Sequence, residues 1–217
     1  MQVVFLGLPG AGKGTQAVSI AEEFRIPHIA TGDMFREAQA AKTPLGKEVQ
    51  EYLDRGLLVP DELTIRLVRH RLGQQDARHG FLLDGFPRTL PQAKALDDML
   101  AEENLALTHV LYLEVSQVEL LQRLTGRRVC SACGANYHVT LHQPRIEGTC
   151  DRCGGALIQR PDDRPEPVSV RLQENLERTA MLAEFYEARG LLGKIDGEGP
   201  IGHVYDEIRR ALRGDHS

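Results

Sequence analysis

Residues 7–15 read GLPGAGKGT. The run stands between a short apolar stretch, VVFLG at 3–7, and a segment of helical character, KGTQAVSIAEEF at 13–24. A strand, a glycine-rich turn and a helix in that order form a phosphate cradle. The glycines let successive backbone N–H groups curl around one anion, and the helix start behind them adds partial positive charge. Gly10, Ala11, Gly12, Lys13, Gly14 and Thr15 are the candidate cradle residues, with Lys13 a mobile point charge for the outer phosphates. The simplest form of this pattern places Ser or Thr directly after the lysine. Here Gly14 intervenes, so Thr15 is not obliged to hold magnesium.

Working outward, further apolar runs read as strands at 27–33 (PHIATGD, where Asp33 is expected to cap the next helix), 80–88 (GFLLDGFPR), 108–115 (THVLYLEV) and 191–197 (LLGKIDG). Helical patterns separate them. DELTIRLVRHRL follows Pro60 with an acidic first turn, LPQAKALDDMLAEE follows the third strand, and SQVELLQRL opens on a serine cap. A long helix is expected over 168–188, with Leu172, Leu176, Ala180, Ala183 and Glu187 on one face and Gly190 as its stop, and a last helix at IGHVYDEIRRAL. Strands alternating with helices imply an α/β fold: a three-layer P-loop architecture, a parallel sheet flanked by helices. Residues 126–163 break the pattern and read as an insert with its own small fold.

The 217 residues suffice for one sizeable core, and the net charge of −5 gives no global field for nucleic acid or membranes. A polyanionic ligand must then find local positive charge. No run approaches the ~20 apolar residues of a membrane span. The start of the chain reads as a strand rather than a leader, so a cytoplasmic location is expected. All the cysteines fall in one pattern, Cys130-x2-Cys133-x16-Cys150-x2-Cys153. Two close pairs at that separation signal a structural zinc site, and four thiolates leave no open position for a reacting water. His138 and His142 lie in the same loop; a surface polar role is expected for them.

Asp84 ends the strand FLLD, where an acid can take the water ligands of magnesium. Arg88 follows on a loop at the strand's C-terminal end, and Arg36 lies just past the TGD turn. Arginines also flank the insert on both sides: Arg123, Arg127, Arg160 and Arg171.

The motifs GLPGAGKGT, TGDMFR, LLDGFPRT with its following glutamine, GRR and the four-cysteine insert together resemble the adenylate kinase family, long-lid type, over almost the whole chain. The resemblance implies a core of residues 1–29, 60–125 and 164–217, a mobile AMP-binding helical segment at 30–59 and a zinc-binding lid at 126–163. It implies transfer of a phosphoryl group from MgATP to AMP, giving two ADP, by a monomer. By resemblance, Thr31, Arg36, Arg88 and Gln92 hold AMP, with Leu57, Leu58, Val59, Gly85, Phe86 and Pro87 contributing backbone and shape. Arg123, Arg127, Arg160 and Arg171 would line the cleft between the nucleotides, Arg160 and Arg171 also touching AMP. Asn136, Tyr137 and Gly199 match positions on the ATP side, and Asp162 and Asp163 match hinge acids that pair with the arginines. Lys13, Asp84, Arg88, Arg123, Arg160 and Arg171 would carry the catalysis.

Two other readings stay open on the sequence. One is a kinase for UMP, CMP or GMP, or one using GTP as donor; Thr31, Gln92 and the long lid favour AMP. The other is a P-loop factor that binds nucleic acid through a zinc ribbon. The acidic balance opposes it, as does an insert whose sole aromatic is Tyr137.

Overall fold

A computed structural model describes residues 1–55 and 57–214. The chain runs β1 (Gln2–Leu6), α1 (Lys13–Phe24), β2 (His28–Ala30), α2 (Thr31–Ala40), α3 (Pro44–Asp54), α4 (Asp61–Leu72), β3 (Phe81–Asp84), α5 (Leu90–Glu102), β4 (His109–Glu114) and α6 (Gln117–Gly126). The insert follows with β5 (Arg127–Cys130), β6 (Asn136–His138) and β7 (Leu157–Ile158), then α7 (Pro165–Glu187), β8 (Leu192–Asp196) and α8 (Ile201–Arg213).

The main sheet is parallel throughout, in the order β2-β3-β1-β4-β8. Because side chains alternate along a strand, β1 feeds two cores. Val4 and Leu6 pack with Leu83, Phe86, Leu96, Val110 and Tyr186 on one face. Val3 and Phe5 pack with Leu82, Leu111, Leu113, Ile20 and Ile208 on the other. Strand order reverses beside β1, so the crevice where open α/β sheets take ligands lies at its C-terminal end. The cradle and the loop after β3 both sit at that edge.

Two local expectations are corrected. Asp33 does not cap α2: that helix begins at Thr31 with Ala30 in the cap position, and Asp33 sits in its first turn paired with Arg36 at 2.5 Å. The long helix starts earlier, at Pro165, and buries Val168, Asn175, Thr179, Leu182, Ala183 and Tyr186 while Leu176 is 43% exposed. Leu182 and Tyr186, both buried in the sheet core, set the rotation of that helix rather than Leu172 and Leu176. The aperiodic insert is a three-stranded antiparallel sheet, β6-β5-β7, whose strands are too short for alternation to register in the sequence.

Candidate active site

α1 opens without a side-chain cap and without an acidic residue in its first turn. Its orphan N–H groups therefore face the cradle rather than a carboxylate, which favours an anion there. Gly10 and Gly12 hold φ values of 88° and 91°, left-handed backbone that lets the loop curl back. Lys13 folds over the loop, its Nζ donating to the carbonyls of Gly7 at 2.7 Å and Leu8 at 3.0 Å. Burial is the main cause that pulls its ammonium down to about 8; Asp84 opposes the shift, and Arg88, Arg171 and Arg127 add to it. Asp84 stands against the cradle, so near that a Cβ at Gly14 would lie 3.3 Å from its Oδ2. Burial disfavours its charge, but His28, 3.6 Å away, with Lys13 and Arg88, holds its pKa below the usual value.

Beside the cradle is a cleft lined by Thr31, Arg36, Leu57, Leu58, Val59, Gly85, Arg88 and Gln92, with Asp162 and Arg171 reaching in from the far side. Its floor is a chain of hydrogen bonds. Thr31 Oγ1 and Arg88 Nε both donate to the Gly85 carbonyl, at 2.9 and 2.8 Å. The Arg88 amide donates to Gln92 Oε1 at 2.8 Å. Phe86 and Pro87 do not line the cleft: both are buried, Phe86 within the sheet core, so they shape the loop from beneath.

The hinge of the insert brings more cations. Arg127 makes a two-pronged contact with Asp163, one prong at 2.7 Å, and Arg171 pairs with Asp162 at 2.9 Å and Asp163 at 3.3 Å. Arg160 lies 3.8 Å from Asp33, linking the insert's far end to α2. Lys13, Arg36, Arg88, Arg127, Arg160 and Arg171 thus share one region with Asp33, Asp84, Asp162 and Asp163, six cations against four carboxylates. Burial, then repulsion from neighbouring arginines, lowers Arg88 and Arg160 to about 10 each. Both stay charged at neutral pH, so the crowding is held in place as an unmet demand for anions.

The thiols gather at the other end of the insert. The Sγ atoms of Cys130, Cys133, Cys150 and Cys153 all lie within 4.8 Å of one another, with Cys130 and Cys153 at 3.4 Å and Cys133 and Cys150 at 3.6 Å. Disulfides need about 2.05 Å. A tetrahedral zinc with Zn–S bonds of 2.3 Å sets its sulfurs about 3.8 Å apart, so the donor set fits that ion. Each pair sits on the same turn: Gly134 N donates to Cys130 O at 3.0 Å, and Gly154 N to Cys150 O at 2.9 Å, both glycines at left-handed φ.

A family model described as "Adenylate kinase" matches residues 5–191. The chain belongs to the adenylate kinase family. Relatives named "Adenylate kinase" agree with it over nearly their whole length. That of Geobacillus sp. (strain WCH70) is 53% identical over 214 residues, 99% of each chain. That of Bacillus subtilis (strain 168) is 50% identical over 214 residues, again 99% of each. That of Carboxydothermus hydrogenoformans is 53% identical over 213 residues, 98% of this chain and 100% of its own. The family's members are phosphotransferases that bind ATP, and its P-loop fold is the one described above.

Not every residue expected at an adenylate kinase site converges here. Arg123 reaches the cradle's edge instead of its centre: it donates to Glu119 at 2.8 Å and to the Gly197 carbonyl at 2.9 Å, and a Cβ at Gly197 would lie 3.4 Å from the carbonyl of Ala11. Asn136 is exposed on the lid, and Gly199 lies in the turn before α8. Tyr137 is buried with Cys130 and Cys150, and its hydroxyl lies 3.5 Å from Cys150 Sγ, the contact that chiefly lowers that thiol to about 6. His138 is a half-exposed polar residue outside the thiol cluster: its Nδ1 accepts from the Thr140 and Leu141 amides at 3.1 Å and its Nε2 meets the Gln122 carbonyl at 3.2 Å. His142 stacks on Tyr137. Two residues at the site carry no motif of their own, His28 against Asp84 and Asp61 beneath Gln92. Asp61 reads in the sequence only as an acidic first turn. Among the described residues no helix is long and apolar enough to cross a membrane.

Proposed function

We propose that the protein transfers the γ-phosphoryl group of MgATP to AMP, reversibly, giving two ADP. The cradle at 10–15 would take the phosphates of ATP, and the cleft beneath Thr31, Arg36, Arg88 and Gln92 the AMP. The observation that carries this reading is the excess of buried cations between the two, which polyphosphate would neutralise. An AMP phosphate is already an anion, so no general base is required, and positioning with charge neutralisation supplies the acceleration. Lys13, Arg123, Arg127, Arg160 and Arg171 would hold the equatorial oxygens, and Arg36 and Arg88 the acceptor phosphate. Magnesium, bound with ATP, supplies further charge neutralisation, and Asp84 beside Gly14 would hold its water ligands. Asn136 and the backbone at Tyr137 and Gly199 would border the adenosine of ATP.

The division into a core, an AMP-binding segment at 30–59 and a lid at 126–163 belongs to the same reading. The lid is held by zinc on Cys130, Cys133, Cys150 and Cys153, because so small a sheet cannot bury enough to fold alone. Its closure excludes the water that would otherwise take the phosphoryl group. The protein works as a cytoplasmic monomer, and its acidic charge balance supports the reading that it takes neither nucleic acid nor membrane as partner. The test is direct: purified protein with ATP, AMP and magnesium yields ADP, and omission of AMP abolishes it. ADP formed equally without AMP would show a hydrolase instead, and UMP, CMP or GMP outpacing AMP would reassign the acceptor.

A further inference from the structure

Gln92 is 2% exposed, yet it lines the acceptor cleft. A buried amide must have its donors and acceptors met, and here both ends are gripped by groups that can play only one part. The Arg88 N–H, which can only donate, gives to Oε1 at 2.8 Å. The Asp61 carboxylate, which only accepts, takes from Nε2 at 2.7 Å. The other oxygen of Asp61 accepts from the Thr89 hydroxyl at 2.9 Å, and that hydroxyl in turn caps α5 by accepting from Gln92 N at 3.3 Å. Asp61 itself is fixed as the first residue of α4, where the helix start favours a carboxylate.

We propose that Asp61 is a positioning residue for base selection: by holding Nε2 of Gln92, it fixes the order of donor and acceptor that the amide turns to the base. After the two grips, the amide keeps one N–H and one lone pair for the cleft. A 6-aminopurine offers an amino donor beside a ring-nitrogen acceptor, matching that pair. A 6-oxopurine offers the reverse, a carbonyl beside N1–H. An amide held at both ends suits one order; an amide released at Nε2 can swing and lose the distinction. The inference rests on AMP being the acceptor. It places a discriminating element outside the DGFPRT loop, on a helix 31 residues away in sequence from its partner.

The experiment compares AMP with inosine monophosphate, its 6-oxo counterpart, as acceptor for MgATP. In D61A, kcat/KM for AMP falls about tenfold, mainly through KM, the worth of one buried hydrogen bond. KM for ATP holds, and the preference for AMP over inosine monophosphate narrows by a similar factor. The control is T89A, which removes the other partner of the carboxylate and the helix cap. It lowers the melting temperature but leaves that preference alone. Should D61A not fold, D61E keeps the charge at the start of α4 while displacing its oxygens, and the same narrowing is expected. A wild-type preference in D61A or D61E, or an equal narrowing in T89A, overturns the role of Asp61. Failure of the wild-type protein to phosphorylate AMP would instead overturn the acceptor assignment on which it rests.

Discussion

Arg127 lies along the carboxylate of Asp163 in a two-pronged contact, and Asp163 is wholly shielded from solvent. Burial works against the Arg127 charge, but the paired carboxylate outweighs it and raises the arginine's pKa. Asp163 also serves Arg171, so one carboxylate ties the first strand of the lid to α7.

D163N removes that charge while keeping the shape, and leaves two guanidiniums short of a partner. Breaking a buried pair from one side costs about 3 kcal/mol. In a chain of this size that lowers the melting temperature by roughly 6–12 °C. Calorimetry checks it; a melting point within a degree of wild type would mean the pair is neutral to stability.

Lys13 is the opposite case. Its contacts are the carbonyls of Gly7 and Leu8, to which a glutamine amide can also donate. K13Q should therefore keep the fold, read by circular dichroism, while turnover falls by about 10²–10³, the usual loss when one donor to developing charge is removed. Turnover within tenfold of wild type would take Lys13 out of the chemistry.

Metal content tests the lid. The thiols of Cys130, Cys133, Cys150 and Cys153 converge, and the lid core around them is little more than Tyr137, Ala135, Leu157 and the buried cysteines. Elemental analysis should find one zinc per chain. Stripping it with a chelator should cost several kcal/mol and lower the melting temperature by about 10–20 °C. A metal-free protein with the same melting point would show that the lid holds itself.

How much of this could be read from the residues alone differs from place to place. The cradle was legible because its requirement is local: glycine at left-handed φ, then lysine, between a strand and a helix. The cysteines were legible because ligand spacing is a sequence property. The rotation of α7 was not, because Leu172, Leu176 and Ala180 suggest one face while Tyr186 and Leu182, packing on residues far along the chain, select another. The short strands of the lid were hidden by their length. The grip of Asp61 on Gln92 and the approach of His28 to Asp84 join residues on different elements, and no local pattern encodes such a meeting.

The pH dependence of nucleotide binding follows from Lys13. Burial, with Arg88, Arg171 and Arg127 nearby, holds it near 8 in the free protein. A bound polyphosphate favours the protonated form and raises that value, so binding takes up a proton whenever the free protein has lost it. Below pH 8 the ammonium is already charged, and affinity for MgATP should be flat. Above it, affinity should weaken by at most about tenfold per pH unit, until the pH passes the pKa reached in the complex. Arg88 and Arg160, near 10, remain charged across the first part of this range. Calorimetry at pH 8.5 in buffers of different ionisation enthalpy should register net proton uptake, and K13Q should abolish it. Uptake that persists in K13Q would move the linkage to another group.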